Sequence, residues 1–310
     1  MSEADVCMPM ARGKTRHGRT LLAVACAACL AIPGQAASAQ TPRIVQLDGR
    51  SVRVAIAGPG QAAVGTPTVV FESGLGAGLE VWDRVFTKVS AVAAVVAYDR
   101  AGIGQSESDG QPPTPRHVAG RLRRLLAQLD LKPPYVLVGH SWGGPLIRMF
   151  AALQTQEIAG LVYVDPTDMR SEAESLEYYL ARGHAAADVP GIRKARRQRL
   201  AAVGPEMRVA LDLEDTYFEE LRALPRLPDV PVSVLMATKF DPAPWAGEPC
   251  EPRACHGAWV RLRTGWLTPL VRDSSSGTFT LTTSSGHDVP REDPDLIVWA
   301  IQRVLTAARR

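Results

Sequence analysis

Short runs of apolar residues alternate along the chain with longer segments whose apolar positions recur every three or four residues. The first two runs are separated by Asp48-Gly49, a dipeptide typical of tight hairpin turns. Each later run precedes a helical or loop segment, and this alternation predicts an α/β fold with a mostly parallel sheet. The predicted strands cover residues 44–47, 51–57, 68–71, 92–98, 135–138, 160–164, 230–236 and 278–282.

The helical segments have recognisable beginnings. Thr114-Pro115 is a capping residue followed by proline at the first helical position, and Asp293-Pro294 repeats the signal before the last helix. A further helix follows residue 143 and runs to about 153. Between about residues 169 and 228 the pattern is charged and amphipathic, which predicts helices without strands. The basic cluster at 193–199 in this stretch reads as a solvated helix face. Residues 237–277 read as a loop rich in proline, glycine and cysteine.

The first 39 residues have the pattern of a secretory signal peptide. Basic residues precede a 12-residue apolar stretch at 21–32, and Ala37-Ser38-Ala39 is a small-residue cleavage site. The stretch is shorter than the roughly 20 residues of a membrane span, so an uncleaved anchor is the less favoured alternative. We therefore expect a secreted or periplasmic protein covering residues 40–310.

The net charge and the cysteine content limit which partners and metal ions the protein is expected to bind. The leader holds four Lys/Arg and two Asp/Glu, so its removal changes the net charge from +3 to +1. This balance does not suggest a nucleic-acid partner. Cys250 and Cys255 would be the remaining cysteines, and in an oxidising compartment they predict a local disulfide. With only His256 beside them, they are not a metal site. We expect neither a metal ion nor a cofactor.

The segment Gly139-His140-Ser141-Trp142-Gly143-Gly144 follows a predicted strand and precedes a predicted helix. It matches the G-x-S-x-G nucleophile elbow, in which a sharp strand-to-helix turn exposes a serine hydroxyl. The N-terminus of the following helix would stabilise an anion there. We therefore interpret Ser141 as a candidate nucleophile.

With this elbow, the chain resembles the α/β-hydrolase superfamily over nearly all of residues 43–307. The matching segments are FESGLG at 71–76, YDRAGIGQS at 98–106, GHSWGG at 139–144, LVYVDP at 161–166 and Gly286-His287. The resemblance implies a mostly parallel eight-stranded sheet flanked by helices. It also implies a helical cap inserted after strand six, here about 169–228, and a catalytic triad in the order serine, acid, histidine.

A serine hydroxyl needs a base that titrates near neutral pH, which favours histidine. The superfamily places this base between the last strand and the last helix, which indicates His287. Its acid usually follows strand seven, where Asp241 stands, although the local spacing departs from the usual pattern. The other location is the tip of strand six, where Asp165 stands. We favour Asp165, with Asp241 as the alternative and Asp168 as a third candidate.

The oxyanion hole requires two backbone amides that point at one oxygen. We expect these amides at Trp142, directly after the nucleophile, and at Leu75 in the glycine loop after strand three. Asp99 and Arg100 are expected to shape the loop beneath the site, as a structural ion pair that does not react. Five aromatic residues are candidates either for an apolar acyl or alcohol pocket or, equally, for ordinary packing in the core or cap: Trp82, Trp142, Tyr178, Tyr179 and Trp245.

The leading interpretation is a secreted serine hydrolase that cleaves a small ester-type substrate with an apolar acyl or alcohol part. An amide, lactone or peptide bond is an alternative target for the same residues. Haloalkane or epoxide chemistry is disfavoured, because such relatives carry aspartate at the position of Ser141. Dinucleotide binding by Gly74-x-Gly76-x-Gly78 is also disfavoured, since the third glycine of the fingerprint is missing. A non-catalytic ligand-binding protein on the same fold stays open, as does the oligomeric state.

Overall fold

A computed structural model describes residues 41–59, 66–200 and 202–309 of the chain. The predicted signal peptide lies outside these residues. Within them, eight strands form one sheet. The strands are β1 (Arg43–Leu47), β2 (Arg50–Ala57), β3 (Thr68–Glu72), β4 (Val95–Tyr98), β5 (Tyr135–His140), β6 (Ile158–Val164), β7 (Val232–Ala237) and β8 (Thr278–Thr282).

The sheet has the order β1-β2-β4-β3-β5-β6-β7-β8. Strands β1 and β2 form the predicted hairpin, and β2 is also antiparallel to β4. All other neighbouring strands are parallel. The predicted α/β-hydrolase fold with a mostly parallel eight-stranded sheet is therefore confirmed. The carboxyl ends of β3, β5, β6 and β7 meet at one edge of the sheet, which is where ligands bind in open α/β sheets.

Some helices pack on the two faces of the sheet, and others lie in the segment between β6 and β7. They are α1 (Asp83–Ser90), α2 (Pro115–Gln128), α3 (Gly143–Leu153), α4 (Glu172–Ala181), α5 (Val189–Leu200), α6 (Pro205–Asp215), α7 (Glu219–Arg222), α8 (Pro252–Leu267), α9 (Pro269–Arg272), α10 (Val289–Glu292) and α11 (Pro294–Ala307).

The central strands are buried on both faces, so their side chains contribute alternately to two hydrophobic cores. Leu137 of β5 joins the core beneath α2 and α3, where Leu125 and Phe150 are also buried. Val136, one residue earlier, joins the core on the opposite face with Ile301 of α11. Both cores hold the strands from which the candidate site residues project.

The segment between β6 and β7 contains the helices α4 to α7, and no strand occurs in its described part. The basic cluster of α5 pairs with acidic residues of α6: Arg196 with Glu214, and Arg197 with Asp212 and Asp215. These charges therefore compensate one another within the segment.

The prediction of a loop at 237–277 is wrong, because the 16-residue helix α8 lies within this segment. Its start has a clear local cause. The Glu251 side chain accepts a hydrogen bond from the Ala254 amide, and Pro252 occupies the first turn. The high content of proline, glycine and cysteine around residue 250 concealed this helix start.

The expected disulfide joins Cys250 to Cys255, with their Cα atoms 5.7 Å apart. It ties the preceding loop to the first turn of α8. Across the described ranges, no helix is both long and apolar enough to cross a membrane. In the same ranges, no group of three or more His, Cys, Asp or Glu side chains is arranged to hold a metal ion.

Candidate active site

Ser141 lies at the turn between β5 and α3, with a backbone φ of 52° that side-chain-bearing residues rarely adopt. Its amide donates to the Val164 carbonyl, and its own carbonyl accepts from the Thr167 amide at 2.9 Å. The turn depends on its glycines. A Cβ atom on Gly139 would lie 2.5 Å from the Gly143 carbonyl oxygen, and one on Gly143 would lie 2.2 Å from the Glu72 carbonyl oxygen. The sharp elbow therefore requires both glycines.

His287 lies in the loop between β8 and α10, and its imidazole reaches the elbow. Its Nε2 is 2.9 Å from Ser141 Oγ, within hydrogen-bond distance. The histidine side chain is 59% exposed, so solvent and small molecules have access to this face. This geometry suits a base that removes the serine proton.

Asp165, at the tip of β6, forms the other hydrogen bond of the imidazole. Its Oδ2 is 2.6 Å from His287 Nδ1, and its Oδ1 accepts from the Ala237 amide at 2.9 Å. Its φ of 42° is a strained backbone conformation, as for Ser141. The structure thus brings Ser141, His287 and Asp165 into one hydrogen-bonded chain.

The two other candidate acids lie elsewhere. Asp241 is exposed, and its side chain accepts a hydrogen bond from the Ala243 amide two residues later. Asp168 pairs with Arg263, whose Nε is 2.7 Å from its carboxylate. Neither carboxylate hydrogen-bonds His287, so the geometry favours Asp165 as the partner of the imidazole.

Arg263, from the unpredicted helix α8, is a site residue that the sequence analysis missed. It pairs with Asp165 Oδ1 as well as with Asp168, and its Nη2 donates to the Pro166 carbonyl at 2.6 Å. Burial by itself raises the pKa of Asp165. The charge of Arg263 and the hydrogen bond to His287 outweigh burial and lower that pKa below its usual value. Asp165 is therefore held as a carboxylate, with Oδ1 on Arg263 and Oδ2 on His287.

His140 is a second residue whose role was missed. Its imidazole does not hydrogen-bond the serine hydroxyl, but its Nε2 donates to the backbone carbonyl of His287 at 2.8 Å. The rings of the two histidines are 4.9 Å apart. Burial, with a smaller contribution from the neighbouring His287, lowers the pKa of His140 to about 4. A neutral His140 therefore holds the loop that carries the candidate base.

The elbow opens into a cleft of about 540 Å³ beside the glycine loop after β3. Leu75 of this loop and Ser141 both line the cleft, and Trp142 begins the turn into α3. None of the five aromatic residues considered for a pocket lines this cleft. Trp82 and Trp142 are core residues, whereas Tyr178 and Tyr179 line a separate cavity among α4, α5 and α6. Aromatic side chains occur both in cores and in pockets, so residue type alone could not predict which of the two places each of these residues occupies.

Asp99 and Arg100 do shape the loops beneath the site, but they do not pair with each other as expected. Asp99 accepts from the amides of Leu79 and Gln105. Arg100 turns instead to the carboxylates of Glu72 and Glu206. Adjacent residues on an extended chain point in opposite directions, which separates the two side chains.

Two further histidines pair with carboxylates away from the cleft. His117 Nε2 is 2.7 Å from Asp109, and His184 Nε2 is 2.8 Å from Glu248. No serine hydroxyl hydrogen-bonds either imidazole in the described part of the chain. Among the described pairs of histidine and carboxylate, His287 and Asp165 therefore form the one whose imidazole also hydrogen-bonds a serine hydroxyl.

Comparison with known proteins supports the architecture. A model of the α/β-hydrolase fold family matches residues 67–236, more than half of the chain. The uncharacterized protein YqjL of Bacillus subtilis is 25% identical over 241 residues, covering 78% of this chain and 84% of that protein. A poly(3-hydroxyalkanoate) depolymerase of Ectopseudomonas oleovorans is 37% identical over 109 residues, covering 35% of this chain and 37% of that enzyme.

Solved structures give the same fold. A lipase candidate from Acinetobacter baumannii AYE superimposes with a TM-score of 0.60 at 16% identity, covering 87% of this chain and 92% of that chain. The epoxide hydrolase CorEH superimposes with a TM-score of 0.56 at 16% identity, covering 86% of this chain and 98% of that chain. At these identities the similarity concerns the fold alone.

Proposed function

We propose that this chain, which belongs to the α/β-hydrolase fold family, is a serine hydrolase that cleaves carboxylic esters. Membership of the family implies that it is a hydrolase, and the finer activity is the proposal. The observation that carries the proposal is the hydrogen-bonded chain from Ser141 through His287 to Asp165. Epoxide or haloalkane chemistry in this superfamily uses an aspartate nucleophile, whereas residue 141 is a serine.

In the first half of the reaction, Ser141 Oγ attacks the ester carbonyl carbon while His287 Nε2 takes the hydroxyl proton. The tetrahedral intermediate then collapses, the C–O bond to the alcohol breaks, and the imidazolium returns the proton to the leaving alkoxide. An acyl group remains on Ser141. Asp165 orients the imidazole and stabilises its charged form.

In the second half, His287 removes a proton from a water molecule that attacks the acyl carbonyl. The new tetrahedral intermediate releases the carboxylic acid, and the proton returns to Ser141 Oγ. The exposure of His287 supports this step, because its imidazole lines the cleft and is accessible to solvent.

The oxyanion of both intermediates would accept hydrogen bonds from the backbone amides of Leu75 and Trp142. Each such donor contributes about 3 kcal/mol to lowering the barrier. Since the donors are backbone groups, they do not depend on the identity of their side chains.

We also propose that helices α4 to α7 form the cap predicted at about 169–228, and that the protein is exported. Export is supported by the leader pattern at 1–39 and by the Cys250–Cys255 disulfide, a bond that persists in oxidising compartments. The substrate would be a small ester. The partial match to a depolymerase of poly(3-hydroxyalkanoate), whose units are joined by ester bonds, is consistent with an ester bond as the target.

The experiment compares hydrolysis of p-nitrophenyl esters of graded acyl length by the wild type, Ser141→Ala and His287→Ala. We expect each substitution to lower kcat by at least about 10⁴-fold, because the two side chains act as one unit. His117→Ala is the matched control, since it breaks a histidine–carboxylate pair of similar length outside the cleft. Wild-type turnover by a folded Ser141→Ala protein would refute the proposal.

A further inference from the structure

Glu206 connects the segment between β6 and β7 to the glycine loop after β3. It lies in the first turn of α6, and its side chain is only 6% exposed. Its Oε2 accepts a hydrogen bond from the Gly76 amide at 2.8 Å. Gly76 directly follows Leu75, whose amide is the proposed oxyanion donor. A buried carboxylate from a distant segment therefore holds the residue next to that donor.

Arg100 fixes the other side of the same loop. Its Nε and Nη2 donate to the two Glu206 oxygens at 2.5 and 2.9 Å, a two-pronged pair. The same guanidinium donates to the carbonyl of Ser73 at 2.8 Å and to that of Gly74 at 2.7 Å. Arg100 thus holds the peptide group that carries the Leu75 amide, through the Gly74 carbonyl, and Glu206 holds the next peptide group through the Gly76 amide.

The charges of this cluster keep it assembled. Arg100 also pairs with Glu72, whose side chain is 1% exposed and whose other oxygen accepts from Tyr98. Burial raises the pKa of Glu72, and the charge of Arg100 and the hydrogen bond from Tyr98 offset this effect only in part. The neighbouring carboxylates outweigh burial and raise the pKa of Arg100, so the guanidinium stays charged.

The loop needs such support because its own backbone is permissive. Gly76 has a φ of +69°, and a Cβ atom placed on it would meet no other atom within 4 Å. Neighbouring side chains therefore do not restrict this glycine sterically. An oxyanion donor, in contrast, must be held within a few tenths of an ångström of its productive position.

We infer that Glu206 is a positioning residue for the oxyanion hole, acting through Gly76 and Arg100 on the Leu75 amide. The inference rests on the proposed serine-hydrolase function and extends it. Since Glu206 belongs to α6, the oxyanion loop has its catalytic geometry when α6 is docked against it. The proposed cap therefore contributes directly to the chemical step.

The test compares Glu206→Gln with the wild type in the hydrolysis of p-nitrophenyl acetate. The glutamine side chain has one acceptor oxygen, which in the place of Oε2 can still accept from Gly76 and from Arg100 Nη2. Its NH₂ group then faces the donor Arg100 Nε, so the two-pronged pair and the negative charge that hold Arg100 on the loop are both lost. We expect kcat to fall by about 10- to 100-fold, less than the loss of a whole donor, with KM changed less than about threefold.

A second substrate separates positioning from general damage. In the thionoester analogue the developing charge lies on sulfur, a weaker hydrogen-bond acceptor than oxygen. We expect Glu206→Gln to lose about tenfold more activity on the oxygen ester than on the thionoester. Arg148→Gln is the matched control, because Arg148 of α3 donates to the Pro225 carbonyl at 2.5 Å and so ties the same segment down elsewhere. It should lower the melting temperature without changing the ratio of the two activities.

Equal losses on both substrates, or an unchanged kcat with a lower melting temperature, would overturn the inference. If Glu206→Gln does not fold, Arg100→Lys carries the same prediction, since a single ammonium group cannot reproduce the fork of contacts. Absence of Ser141-dependent turnover in the wild type would reject the proposed function and this inference together. Normal wild-type turnover with an unaffected Glu206→Gln protein would reject this inference alone.

Discussion

Replacement of Asp165 by asparagine removes one charge and exchanges a single oxygen for an NH₂ group. The Oδ1 atom of Asp165 accepts from the Ala237 amide and from Arg263. Two donors at this position force the asparagine oxygen to take the place of Oδ1. The NH₂ group must then face His287 Nδ1 in the place of Oδ2.

This orientation determines the size of the effect. A donor facing Nδ1 requires that nitrogen to accept, so the imidazole carries its hydrogen on Nε2. That hydrogen points at Ser141 Oγ, and the base can no longer take the serine proton. Loss of the carboxylate also removes the charge that stabilises the imidazolium. The equivalent substitution in a serine protease lowers kcat by about 10⁴-fold, and we expect a similar loss here, about 5 kcal/mol of barrier.

The assay is kcat/KM for p-nitrophenyl acetate at neutral pH, with folding verified by thermal denaturation. Asp241→Asn is the matched control. Asp241 is exposed, and its hydrogen bond from the Ala243 amide survives in asparagine. We expect Asp241→Asn to retain activity within about threefold, as substitutions away from a site usually do. A folded Asp165→Asn enzyme with more than a tenth of wild-type activity would refute the reasoning, as would an equal loss in Asp241→Asn.

Three further predictions concern stability. The pKa of His140 is about 4 in the folded protein and about 6.5 when unfolded, so protonation favours the unfolded chain. As the pH is lowered from 6.5 to 4, the free energy of unfolding should therefore fall by about 3 kcal/mol more for the wild type than for His140→Gln. Urea titrations that give the same pH dependence of this free energy for both proteins would contradict the prediction. Arg263→Met should cost about 3–5 kcal/mol in urea unfolding, because Asp165 and Asp168 lose their shared buried counter-charge. A loss below about 1 kcal/mol would argue against that network. Ser171→Ala should cost about 1 kcal/mol by removing the capping box of α4, and an unchanged midpoint would contradict that role.

The sheet and the elbow could be predicted because their signals are local. Apolar runs of strand length, the Asp48-Gly49 turn and the glycines around Ser141 each express a backbone requirement within a few residues. The choice of His287 came from the resemblance to the superfamily, which places the base between the last strand and the last helix. These features do not depend on distances between remote segments.

The choice between Asp165 and Asp241 depends on such distances. Both residues follow buried strands, and their local sequences do not reveal which carboxylate reaches the imidazole. The contacts of Arg263 and Glu206 were also beyond prediction, since their partners lie 98 and 106 residues away in the chain. Arg263 was further concealed because its helix begins in a segment that resembles a loop in composition.

The central claim is that Ser141 is a nucleophile activated by His287. The most direct measurement is the intact mass of the protein after treatment with a fluorophosphonate, followed by peptide mapping of the adduct. We predict one adduct per chain, located on Ser141, and none in folded Ser141→Ala or His287→Ala protein. A folded wild-type protein without an adduct, or an adduct on another residue, would contradict the account.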